Sequence, residues 1–195
     1  MIVLAPEVEA ALRDGAPVVA LETTLVAHGF PPGEGVAVGA ESERRVREAG
    51  AVPATIGVLD GAVRVGLGAE ALETLGVPVL GFGTDELPLF YAARGGPPVS
   101  ARVETPAEAA AIARAHWELG GGGLLLARPP DESLDDVEPL IEEALTEARR
   151  LRVEGGAVTP FVLAKLHERS GGRTLRANRE LVAANAQLAA EVAAA

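Results

Sequence analysis

The sequence predicts an α/β protein, a layered α/β/α arrangement around a largely parallel sheet with a hairpin extension. Three observations predict it. Short apolar runs of strand length, PVVALETT at 17–24, VPVLGFG at 77–83 and GLLLA at 123–127, alternate with segments of helical periodicity. Strands that are apolar throughout, with no polar face, suit a parallel sheet covered by helices on both sides. Asp60-Gly61 between TIGVL (55–59) and AVRVG (62–66) is the signature of a tight type I′ hairpin.

Residues 6–13 read as a short helix leading into the strand 17–24. HGFPPGEG (28–35) has Gly or Pro at nearly every second position and reads as a loop. In 35–50, Val38, Glu41 or Ser42, and Val46 recur at helical spacing and Gly50 supplies the stop. A short helix at 69–75 separates the hairpin from the strand 77–83. VSARV (99–103) reads as a further strand. Thr105 is a good N-cap for a helix running to about Leu119, with Pro106 in its first turn. Leu134, Val137, Leu140, Ile141, Leu145 and Leu151 mark one face of a long acidic helix. Helices at 159–169 and 174–194 close the chain. With 195 residues, no linker and no internal repeat, one domain spanning 1–195 is expected.

Composition excludes several functional classes. Hydrophobic residues are 48% of the chain but aromatics only 3%, so the core is expected to be built from Ala, Val and Leu. There is no apolar window of membrane-spanning length, and the N-terminus lacks the basic region of a secretory signal. The absence of cysteine rules out disulfide and thiol chemistry and fits a cytoplasmic location. The formal charge of −11 repels phosphate backbones, so no nucleic-acid partner is expected. The arginine clusters at 44, 45 and 47 and at 149, 150 and 152 sit among glutamates and read as solvated helix faces. There is one lysine, Lys165.

The glycine run 120–123 follows a helix and precedes a strand, the reverse of a phosphate-binding loop, and reads as a helix end. His28, His116 and His167 show no metal-ligand spacing, so no metal site is read from them. Glu22 ends an apolar strand, where α/β folds place their ligands, and is followed by Thr23 and His28. Partial burial there would raise its pKa and suit it to acid catalysis; the alternative is a carboxylate that caps a helix or pairs with an arginine. Thr84-Asp85 at the end of the strand 77–83 forms a second candidate rim. Asn178 and Asn185, seven residues apart, share an otherwise apolar helix face with Leu181, Leu188 and Val192. Their amides either face a ligand or satisfy each other's surroundings internally.

Five ordered blocks resemble the pseudouridine-5′-phosphate glycosidase family, also called pseudouridylate synthase or the indigoidine-cluster IndA family. They are ALETTLVAHGFP (20–31), GAVPATIGVLDGAVRVGL (50–67), GVPVLGFGTDELPLFY (76–91), TPFVLAKL (159–166) and LRANRELVAANAQLA (175–189). The resemblance implies an α/β/α fold, a homo-oligomer (a trimer) and a sugar-phosphate or nucleotide ligand. It also implies reversible cleavage of the C–C bond between uracil and ribose 5-phosphate, through a lysine Schiff base, a proton-moving glutamate and a nearby manganese ion. By that resemblance Glu22 is the catalytic glutamate, and Asn178 or Asn185 lies on the helix that approaches the base. Thr23, His28, Thr84 and Asp85 are further candidates for substrate binding.

The chain departs from the family between Leu67 and Glu73. A block of about one third of the family's length is absent there, and with it the nucleophilic lysine, the phosphate-binding lysine and the metal-binding aspartate. No cofactor is therefore expected. Lys165 belongs to the TPFVLAK helix, where the family's lysine is not the nucleophile. Loss of the block is expected to impair or abolish the C-glycosidase chemistry, or to leave a binding or subunit-pairing protein.

Overall fold

The computed structural model describes residues 5–22, 30, 34–56 and 78–195. Helix α1 (Pro6–Asp14) ends at Gly15, whose φ of 68° is open to glycine without steric cost. Strand β1 (Val18–Glu22) follows. Helix α2 (Glu34–Glu48) starts inside the stretch expected to be loop, and buries Gly35 along with Val38, Ser42 and Val46. Buried Ser42 returns its hydroxyl to the Val38 carbonyl at 2.9 Å, so its polar atom is satisfied within the helix.

Strand β2 (Val52–Ile56) begins three residues before the strand expected at 55–59. It pairs parallel with β1, from Val18 opposite Val52 to Glu22 opposite Ile56. Pro53 is tolerated because the neighbouring Val52 N–H makes the bond across, to the Pro17 carbonyl at 2.9 Å. The Asp60-Gly61 hairpin and the helix expected at 69–75 lie outside the described residues.

Strands β3 (Val79–Phe82), β4 (Ala101–Val103) and β5 (Leu125–Ala127) form a second parallel sheet in the order β4-β3-β5. The expected α/β class with parallel pairing therefore holds. Its described strands, however, fall into two sheets, β1-β2 and β4-β3-β5.

Helix α3 (Pro106–Glu118) begins as its sequence dictates. The Thr105 hydroxyl accepts from the Glu108 N–H, and the Glu108 carboxylate accepts from the Glu104 N–H. Thr105→Ala is expected to cost about 1 kcal/mol, lowering the melting temperature by roughly 2–4 °C in a thermal scan. The glycine run ends α3. Gly120 has a φ of 82°, and a side chain on Gly121 would meet the His116 ring at 2.2 Å.

Helix α4 (Glu138–Arg150) is shorter than its apolar pattern predicts. Leu134 and Val137 are buried from the irregular segment before it, with the Leu134 N–H bonded to the Tyr91 carbonyl at 2.7 Å. A 3₁₀ turn (Gly155–Ala157), helix α5 (Val158–Arg169) and the long helix α6 (Arg173–Ala194) complete the chain. None of the described helices is long and apolar enough to cross a membrane.

The core forms three clusters, mostly of small and aliphatic side chains, and α6 reaches all of them. Ala186 and Ala190 pack with Val19, Val46 and Ala51; Ala177 packs against Tyr91, Leu134, Val137 and Leu166; Val192 packs against Leu80, Val103 and Ala109. Alanines on α6 let α2 approach closely, and the contact is tied by Arg45 to Glu180 at 2.7 and 3.0 Å and by an Arg179–Glu34 ion pair.

The clustered arginines are exposed except for Arg45, which is half-buried against α6. Arg44 pairs with Glu41 and Glu48, and Arg47 with Glu7 across to α1. Hydrogen bonds from Arg44 and Arg45 lower the Glu41 carboxyl to about 2.

Tyr91 is the chain's one tyrosine, and burial pushes its phenol up to about 12. Between pH 10 and about 12 the unfolded chain releases this proton while the folded chain keeps it. The stability tied to the neutral phenol is thus complete below pH 10 and falls as pH rises. Phenolate absorbance is expected to rise near pH 12 in the folded protein and near pH 10 in denaturant. Coincident midpoints would refute the burial.

Candidate functional site

Asn178 is fully buried on α6, and neither its Nδ2 nor its Oδ1 has a hydrogen-bond partner among the described residues. A buried amide left without partners costs about 1–3 kcal/mol, so native folds keep one where something else completes it. Among the described residues, no side chain or backbone group satisfies this amide internally. Instead Asn178 lines a hollow of about 220 Å³ with Leu181, Val182 and Asn185 of α6, Leu126 to Arg128 and Pro130 at the end of β5, and Pro88 to Phe90 after β3.

Two of these features follow from strand polarity. Strand β5 brings its C-terminal end, Leu126 and Ala127, to the hollow, and the segment after the parallel β3 brings Pro88 to Phe90, on the side where such sheets open a crevice. Arg128 stands at the first position after β5 and pairs with Asp131. It also borders a second, polar hollow of about 320 Å³ with Arg45, Glu180 and Glu191. Sequence reasoning missed Arg128. Its signal was the strand-end position, which singled out Glu22 and Thr84 and applies equally to β5.

The expected site residues are only partly brought together. Asn185 is exposed and lines the Asn178 hollow. It also lines a third hollow, of about 250 Å³, whose wall is Val19 to Leu21 of β1. Glu22 ends that strand, opposite Ile56, but its side chain, and Thr23 and His28 entirely, lie outside the described residues.

Thr84 and Asp85 serve the turn after β3. The Thr84 hydroxyl donates to the Glu86 carbonyl at 2.9 Å and accepts from the Glu86 N–H at 3.2 Å. Asp85 pairs with Arg102 at 3.0 Å. Neither borders the hollow that holds Asn178. Lys165 lies on α5, its Nζ 3.4 Å from Glu147 and 3.7 Å from Glu168, and also lines none of these hollows.

Among the described residues, no group of three or more His, Asp or Glu could hold a metal ion.

The family model for indigoidine synthase A like protein matches this chain in two pieces, residues 7–72 and 67–195. The chain belongs to that family. Among curated indigoidine synthase A like relatives, the pseudouridine-5′-phosphate glycosidase of Petrotoga mobilis is 32% identical, over 96% of this chain and 94% of the relative. That of Deinococcus radiodurans is also 32% identical, over 98% of this chain and 93% of the relative. The crystal structure of the prealnumycin C-glycosynthase AlnA in complex with ribulose 5-phosphate superposes with a TM-score of 0.76 at 26% identity, covering 97% of this chain and 95% of AlnA. An indigoidine synthase A-like protein of Thermotoga maritima gives 0.76 at 27% identity, over 92% of this chain and 93% of that one.

The match also locates the shortening. The alignment with the Petrotoga mobilis relative runs over 288 residues, whereas this chain has 195, so at least 93 of its positions have no counterpart here. The family match breaks at 67–72, between β2 and β3.

Proposed function

We propose that this chain is a pseudouridine-5′-phosphate glycosidase relative that keeps a sugar-phosphate or nucleotide binding site and has lost C-glycosidase activity on its own. The observation that supports this most is Asn178, a fully buried amide with no described partner, facing a hollow bordered by Arg128 and Asn185. A side-chain amide carries a donor pair and an acceptor, and matches the neighbouring C=O and N–H groups on the edge of a uracil ring. Arg128 supplies the fixed cation that a phosphate requires. Relatives named as pseudouridine-5′-phosphate glycosidases, and a neighbour solved with ribulose 5-phosphate, agree with a ligand of this class.

The loss of chemistry rests on the missing positions and on Lys165. A C–C glycosidic bond has a poor leaving group, and a covalent imine supplies the electron sink that breaks it. The one lysine of the chain is engaged by two carboxylates on α4 and α5, away from the hollow. Proton transfer by Glu22 would contribute about 10²–10⁴-fold, far short of what that bond demands. A cytoplasmic location and assembly as a homo-oligomer, a trimer in the family, belong to the same proposal.

The test pairs calorimetric titration of pseudouridine 5′-phosphate and ribose 5-phosphate with a turnover assay and borohydride trapping. Saturable binding is expected, with no uracil release and no adduct in the intact mass. Uracil release, or a borohydride adduct lost in Lys165→Ala, would overturn the proposal.

A further inference from the structure

Where the family match is interrupted, the described strands part into two sheets. The strands before the break in the family match, β1 and β2, form one sheet; those after it, β3, β4 and β5, form the other. Among the described residues β1 has a neighbour only in β2, and β5 only in β3. Both strands wall hollows that share the α6 face. Val19 to Leu21 stand on one side and Leu126 on the other, with Asn185 and Ala189 common to the two hollows between them. The larger of these is about 550 Å³ and mainly apolar, and it exposes Trp117.

Strands in parallel sheets are normally covered on both faces, and apolar ones left at an edge invite pairing. Here the apolar strand β1 leaves Ala20 exposed, and β5 leaves Leu125 exposed. Among the described residues the two half-sheets, the two hollows that meet at Asn185 and Ala189 to form one trough along α6, and the break in the family match, with at least 93 alignment positions lacking a counterpart, point the same way.

We propose that this trough is the docking seat for a separate polypeptide equivalent to the family's central segment, which adds parallel strands between β1 and β5 and packs its apolar face on α6. The break in the family match favours this occupant over a second copy of the chain. A second copy lacks the same segment and could bring only edges like those already present. The inference rests on the family membership and on the divided sheet, not on ligand binding by the chain alone, so either can fail without the other.

The probe is the segment of the Petrotoga mobilis relative that aligns to no residue of this chain, produced as its own polypeptide and titrated into the purified chain. Native mass spectrometry is expected to find a one-to-one complex, with amide exchange slowed at residues 18–22 and 125–127. Ala189→Arg, which puts a charge into the exposed floor of the trough, is expected to weaken the complex by at least about tenfold. Ala164→Arg, on an exposed position of α5 outside the trough, is expected to leave it unchanged.

Three outcomes would overturn the proposal: no complex at about 100 μM of each component, equal binding by Ala189→Arg, or self-association of the chain that protects the same two strands. If Ala189→Arg unfolds the chain, the exchange pattern of the unaltered complex decides alone: protection confined to other segments overturns the proposal.

Discussion

Asn178→Leu is expected to weaken binding of pseudouridine 5′-phosphate by about 100-fold or more and, at the same time, to raise the melting temperature of the ligand-free chain. Both effects come from one amide. With nothing bound, its donor and acceptor are buried without described partners, a burden of about 1–3 kcal/mol that an apolar side chain removes. The added volume has somewhere to go, since the residue borders a hollow of about 220 Å³. For a chain of this length 1 kcal/mol corresponds to roughly 2–4 °C, so a gain of a few degrees is anticipated. With ligand, two or more hydrogen bonds to a buried polar edge disappear, and about 2.7 kcal/mol corresponds to the hundredfold loss. Calorimetry and a thermal scan on the same preparation check both. A variant that binds normally would remove Asn178 from the site. One that melts lower and binds poorly would mean that the amide is held by the fold after all.

Leu166→Ala is expected to remove about 2–5 kcal/mol of stability, a large part of the roughly 5–15 kcal/mol that a domain possesses. Leu166 is 1% exposed and joins α5 to Tyr91, Leu134 and Val137. Its neighbours Tyr91, Leu134 and Val137 are themselves buried and packed, so they refill the space only in part. Leu151→Ala, at a leucine 52% exposed beyond the end of α4, is expected to change stability by less than about 0.5 kcal/mol. Urea unfolding of the two variants measures the difference. Equal losses would mean that the α4–α5 layer is not the closed core described.

The two leucines also mark the reach of sequence patterns. Leu134, Val137 and Leu151 fit one helical stripe with Leu140, Ile141 and Leu145, yet α4 holds only the middle of it. Leu134 and Val137 are buried from an irregular segment, and Leu151 is left exposed. Apolar spacing reports that side chains seek burial, but a loop laid over a core buries them as well as a helix does.

Asn178 and Asn185 show the same limit at the site. Their spacing places them on one face of α6, and α6 runs through both. Asn178 lies beneath the segments that follow β3 and β5 and is sealed, whereas Asn185 lies where the two sheets part and is open. Periodicity cannot tell them apart, because burial depends on what crosses each turn. Arg128 was hidden for a related reason: one arginine among 17 basic residues acquires meaning only when β5 sets it beside Asn178.

By itself, then, the sequence determined what is local or inherited in order. It set the N-cap at Thr105, the buried stripe of α2, the glycine end of α3, the parallel character of the apolar strands, the family and the point where its central segment is missing. Those follow from short-range backbone chemistry and from ordered blocks of residues. Only the tertiary structure decided which asparagine is sealed, that Arg128 lines the same hollow, and that the described strands fall into two sheets on either side of the break. Each of these depends on elements far apart in the chain meeting in space, where burial and strand pairing are decided by neighbours that no stretch of sequence contains.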